Sequence, residues 1–217
     1  MSAHRRPVAQ DLAVLVADKN TQQAMAGLLE RSEALAIRPL THDIFVHVRR
    51  DPGCLNEAHD LLRPLAGSYD RALVLFDHQG SGREQVAAGI LADEVKSRLE
   101  QNGWPGRAEV VVIAPELEAW VWSGSPHVAT ALGWASRQPA LREWLQANGH
   151  WPAAEPKPPD PKRALEVALR AANKPRSSAI YHDLASHVSL RHHRDPAFLR
   201  LLQALQSWFP PPSPVDR

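Results

Sequence analysis

The chain has a single cysteine, Cys54, among its 217 residues. One thiol excludes an internal disulfide framework and any thiolate zinc cluster within one chain, and points to a reducing cytoplasmic compartment. Long apolar runs are also missing. The stretch Leu12–Val16 that follows the basic N-terminus (His4, Arg5, Arg6, then Pro7) is too short for a signal h-region, and nothing reaches the length of a membrane span. Net charge is nearly absent: 25 Lys and Arg against 24 Asp and Glu leave a formal +1, so no global field draws the chain to nucleic acid or to a membrane. Any basic surface is local. What is present is an ordinary globular composition, 44% apolar and 23% charged, in a chain long enough to bury a core.

Two apolar runs carry the most information. Arg71-Ala72-Leu73-Val74-Leu75-Phe76-Asp77 and Glu109-Val110-Val111-Val112-Ile113-Ala114-Pro115-Glu116-Leu117-Glu118 read as central parallel strands covered on both faces. Each delivers acid at its carboxyl end, where open α/β sheets place their working crevice. Leu12–Val16 and Ile44–Val48 predict two further strands. Helices are expected over Thr21–Leu35 with Thr21 as the N-cap, up to Ala66 with a break at Pro64, and over Glu84–Asn102. Asp51-Pro52-Gly53 reads as a turn. Strand and helix alternate, so the fold class is α/β with a mainly parallel sheet flanked by helices.

The second half is helical and rich in Trp and Pro. Residues 151–161 carry five prolines and read as an ordered extended loop. Asp160-Pro161 and Asp195-Pro196 each pair a capping carboxylate with a proline suited to the first helical position, and predict helices to about Asn173 and Trp208. The expected division is an α/β core over 1–124 and a helical extension over 125–217 packed on it.

Asp18, Asp77, Glu116 and Glu118 are the strand-end acids. Together they suit a hard divalent ion such as Mg²⁺ or Mn²⁺; singly, each is as well explained as a helix cap. The cations placed to meet phosphate include Lys19, Arg49, Arg50, Arg83, Lys157 and Lys162, of which Lys19 and Arg83 directly follow strand ends. Lys162 sits in the first turn of a helix, where a cation opposes the helix dipole, and that unfavourable placement makes it the strongest of these candidates. Gly80-Ser81-Gly82 lacks the Lys-Ser/Thr sequel of a P-loop. His182, His187, His192 and His193 have no accompanying cysteine and no recognised ligand spacing, so solvated histidines are expected there.

The strand-end acids, Asp77-His78-Gln79-Gly80 and Pro115-Glu116-Leu117-Glu118-Ala119-Trp120 resemble the Toprim-like fold. In particular they look like the small Toprim-like proteins of bacterial anti-phage defence operons, including methylation-associated defence systems. Pro161-Lys162 with Leu165, and Asp195-Pro196-Ala197-Phe198, resemble that group's C-terminal region. The resemblance implies magnesium-dependent, nuclease-like phosphoryl transfer on nucleic acid, with Asp77 and Glu118 as metal ligands and Asp18 and Glu116 as catalytic acids. It also implies other defence-system proteins as partners; homo-oligomerisation stays open. The chain departs from the Toprim pattern at two places: Ala17-Asp18-Lys19 replaces the glutamate after the first strand, and Gln79 replaces the second aspartate of Asp-x-Asp. Those departures support the alternative of a non-catalytic binding subunit with a degenerate site; a small-molecule phosphohydrolase is the third reading. The catalytic expectation requires Asp77 and Glu118 to be neighbours, with neither consumed by an arginine.

Overall fold

The computed structural model describes residues 10–190 and 194–212. Strands β1 (Gln10–Val16), β2 (His42–Val46), β3 (Tyr69–Asp77) and β4 (Ala108–Ile113) form one parallel sheet in the order β2-β1-β3-β4. Val14 pairs with Ile44 on one side and Leu73 on the other, and Val74 pairs with Val110. Strand order reverses between β1 and β3, the kind of switch point where α/β sheets open a crevice at their carboxyl ends. Successive side chains alternate between two buried faces. Leu12, Val14, Leu73, Leu75 and Val111 join one apolar cluster, while Ala13, Leu15, Val74, Phe76 and Val110 join another. Burial on both faces is why these strands read as unbroken apolar runs.

The helices are α1 (Lys19–Leu29), α2 (Ser32–Leu35), α3 (Arg50–Leu62), α4 (Ala88–Gln101), α5 (Glu118–Val121), α6 (His127–Ala131), α7 (Leu141–Ala147), α8 (Pro161–Ala171), α9 (Ser178–His187) and α10 (Pro196–Trp208). One sheet face is covered by α3 and α4 through Leu55, Leu62, Leu91 and Leu99. The other takes α1 and residues of the C-terminal helices, including Leu165, Leu184, Phe198 and Leu205, in one continuous cluster with the strands. Asp160 and Asp195 cap α8 and α10 as the sequence implies, accepting from the Arg163 N–H at 2.8 Å and the Ala197 N–H at 3.0 Å. No helix among the described residues is long and apolar enough to cross a membrane.

Several expected boundaries are corrected. The helix expected over Thr21–Leu35 is two helices, α1 and α2, and its cap is Asp18, not Thr21. Asp18 Oδ1 accepts from both the backbone N–H of Thr21 (2.8 Å) and its hydroxyl (2.9 Å). Strand β2 ends at Val46, the partner of the last β1 residue, instead of continuing to Val48. Helix α4 starts at Ala88, because Glu84 is used to close the preceding loop by accepting the Gly80 and Gly82 N–H groups. Helix α9 has no counterpart in the sequence reading.

The Asp51-Pro52-Gly53 turn is instead the opening of α3. A proline is tolerated there because first-turn N–H groups have no intrahelical partner. Gly53 lies against the buried ring of His47, and a Cβ at Gly53 would overlap that ring. His47 Nδ1 in turn accepts the Arg49 N–H at 3.1 Å, which limits how far the ring can yield. Gly53→Ala is therefore expected to lower stability by about 1–3 kcal/mol, as overpacking does; urea unfolding of the two proteins measures it.

Candidate metal centre

Three carboxylates meet at the carboxyl edge of the sheet. Asp77 ends β3, Glu116 lies in the loop after β4, and Glu118 opens α5. Each offers an oxygen within 4.8 Å of the other two. Glu116 and Glu118 are only 4% and 3% exposed. Backbone bonds fix the rim: the Leu117 N–H donates to Asp77 Oδ1 at 2.9 Å, and the Gln79 N–H donates to the Pro115 carbonyl at 2.8 Å.

The burial of acid is answered by cations from the second half of the chain. Lys162, at the start of α8, lies 3.2 Å from Glu116 Oε2. Arg176, between α8 and α9, donates to Glu118 Oε1 at 2.7 Å, and the Tyr181 hydroxyl donates to the same oxygen at 2.6 Å. Arg176 also donates to the Tyr181 oxygen at 3.0 Å and to Glu166 at 2.7 Å. Burial, with Glu118 next to it, pushes the Tyr181 hydroxyl well above its ordinary pKa, so it stays a donor. Burial, the largest single influence, opposes the Lys162 charge, but the bond to Glu116 and the charges of Glu116 and Glu118 together raise its pKa.

Asp77 is different. Burial raises its carboxyl well above the usual range, and the charges of Asp51, Glu118, Asp18 and Glu116 push it in the same direction. Glu116 is raised by burial and by Glu118, against the pull of Lys162. Of the expected acids, Asp77, Glu116 and Glu118 converge. Asp18 lies close enough to act on Asp77 electrostatically but is occupied as the α1 cap. Asp77 and Glu118 are neighbours, as the catalytic expectation requires, but Glu118 is paired with Arg176, which breaks the second condition. The Arg176 and Tyr181 bonds both fall on Oε1, so the pairing engages one carboxylate oxygen.

The expected phosphate-binding cations separate. Lys162 reaches the site. Arg83 bonds Glu94 of α4 in a bidentate pair, and Lys19 is exposed in the first turn of α1. Lys157 donates to the Ala119 carbonyl at 2.8 Å. Three participants went unrecognised in the sequence: Asp51, whose Oδ1 accepts the Asp77 N–H at 2.8 Å, together with Arg176 and Tyr181.

The donor set suits a hard divalent ion. Oxygens bound to Mg²⁺ at about 2.1 Å lie no more than about 4.2 Å apart, so small side-chain rotations would bring these three into range. Beside the acids opens a cleft of ≈ 400 Å³ lined by Gln79, Glu116, Asp160, Lys162 and Arg163. The fold and this centre define an α/β protein with an acidic crevice at the carboxyl edge of its sheet. No family model, curated protein or solved structure matches the chain.

Two measurements follow. The raised Asp77 pKa means the folded state holds a proton that the unfolded state releases near pH 4. Its contribution to stability is therefore full below that pH and is lost as pH rises through the folded value. In EDTA, wild type is expected to lose stability between pH 4 and 8 more steeply than Asp77→Asn, and Asp77→Asn to be the more stable at pH 8, by urea denaturation. Removing Arg176 leaves Glu118 buried with only Tyr181. Arg176→Ala is expected to cost about 3 kcal/mol, the low end for breaking a buried pair because Arg176 is itself partly exposed.

Proposed function

We propose that this chain is a Toprim-like, metal-dependent nucleic-acid-processing protein that hydrolyses phosphodiester bonds with one divalent ion, as a component of an anti-phage defence system. The observation that carries the reading is Asp77: a half-buried carboxyl within reach of Glu116 and Glu118, its pKa raised by desolvation and by the surrounding charges. Such a cluster is costly unless a proton or a cation joins it. Asp77 and Glu118 would hold the ion, Glu118 being oriented by Arg176 and Tyr181 through one oxygen. A bound Mg²⁺ or Mn²⁺ supplies Lewis-acid polarisation of a phosphoryl oxygen and a bound water of lowered pKa.

The remaining roles fall to this chain's own groups. Glu116 lines the cleft and has a raised pKa, which suits a general base accepting a proton from an attacking water. Lys162, half-exposed beside it, presents a positive charge to a phosphate in the cleft. Asp18 contributes negative charge from its place as a helix cap. Gln79, where the Toprim pattern has an acid, lowers the negative charge available and favours one ion over two.

A second reading rests on the grip of Arg176 and Tyr181 on Glu118. If those bonds and a protonated Asp77 satisfy the cluster completely, the chain is a non-catalytic binding subunit of a defence complex. One set of variants separates the two. Magnesium- or manganese-dependent cleavage of single- and double-stranded DNA and RNA is expected in wild type. It should fall by on the order of 100-fold or more in Asp77→Ala and Glu116→Gln, the scale set by a positioned acid–base group. Equal background in wild type and variants, with co-purification of neighbouring operon products surviving both substitutions, would establish the binding reading instead.

A further inference from the structure

A second group of metal-type ligands lies away from the sheet edge. His127 is the first residue of α6; Asp183 and His187 stand one turn apart on α9, which packs against α6. His127 Nε2 is 3.3 Å from Asp183 Oδ1, and His187 Nδ1 is 3.2 Å from the same oxygen. The two imidazole rings sit 4.6 Å apart, tilted by 31°. Nε2 of His127 is buried without a hydrogen-bond partner among the described residues, since the nearby Asp183 oxygen lies outside hydrogen-bonding geometry. A buried polar nitrogen in that condition is uncommon and calls for a cause.

We propose that His127, Asp183 and His187 bind one Zn²⁺-class transition-metal ion, independently of the sheet-edge acids. Two imidazole nitrogens and one carboxylate oxygen form a borderline donor set that suits zinc, whereas magnesium favours oxygen alone. A tetrahedron with bonds of about 2.0–2.1 Å has donors about 3.3 Å apart. The two separations measured to Asp183 match that edge, and the three donors all lie within 4.8 Å of one another. Nδ1 of His187 also lies 2.9 Å from the Asp183 carbonyl, a contact within its own helix that it exchanges for the metal. Three protein ligands leave a fourth position for water, and the bound ion would fasten α6 to α9. His187 is exposed, as the solvated role expected from sequence requires, and the proposed ion would recruit it from solvent. His182 instead lies 3.5 Å from Glu30, and His192 and His193 lie outside the described residues.

Zinc titration of the full chain, stripped with EDTA and held in excess Mg²⁺, tests the site. One Zn²⁺ per chain is expected after desalting, with a raised Tm. His127→Ala and His187→Ala should each weaken binding by more than the roughly 10–100-fold that loss of an outer partner of a ligand costs. Asp77→Asn and His182→Ala should bind zinc as wild type does, which keeps this result separate from the fate of the phosphodiesterase reading. Where an alanine variant fails to fold, His127→Gln and His187→Gln replace it, read by loss of the visible absorbance of tetrahedral Co²⁺ in folded protein. Absence of zinc from wild type, or undiminished zinc in the doubly substituted protein, would overturn the proposal.

Discussion

Placing Glu116 and Glu118 beneath the carboxyl edge of the sheet, each almost without solvent, obliges the chain to bring counter-charges to them. A buried carboxylate stripped of its partners is among the costliest groups a protein can hold. The sheet provides none of these partners. They come from α8, from the segment before α9 and from α9 itself, as Lys162, Arg176 and Tyr181. The second half of the chain therefore completes the electrostatics of the first, in addition to covering one face of its apolar core.

That compensation is incomplete in a definite place. Glu116 and Glu118 each have a bonded cation, whereas Asp77 receives a backbone N–H and sits among acids. Asp51 belongs to the same balance. Its own carboxyl is raised by burial, against the pull of the Asp77 N–H, and Asp18 adds to the shift. An added proton relieves this arrangement at low pH, and a divalent ion would relieve it at neutral pH. The same feature thus makes the unprotonated centre a burden on stability and a place that could hold a cation.

Much of the sheet was legible because its strands are buried on both faces, and continuous apolar runs are what that environment selects. The ends of those runs named Asp77, Glu116 and Glu118. Lys162 stood out for a different reason, its unfavourable place in a first helical turn, which the sequence reading assigned to phosphate; the structure pairs it with Glu116. Asp51 was hidden because Asp-Pro-Gly has the composition of a turn, although proline is equally at home where a helix begins. Thr21 and Asp18 are both good caps, and sequence alone does not say which oxygen the first turn will use. Arg176 and Tyr181 had no local signature. Their roles depend on α9 lying along α1, a tertiary contact made through positions such as Gly27, whose missing side chain lets the His182 carbonyl approach.

Helix α9 is consequently the element on which both sites converge. Residues two apart on a helix are separated by about 200°, so Tyr181 and Asp183 address opposite sides of it. On one side Tyr181 holds Glu118; on the other Asp183 and His187 meet His127. An ion joining α6 to α9 would fix the helix that presents Tyr181 to the acid cluster. The histidine cluster and the acid cluster are thus chemically distinct: they share a helix and no ligand.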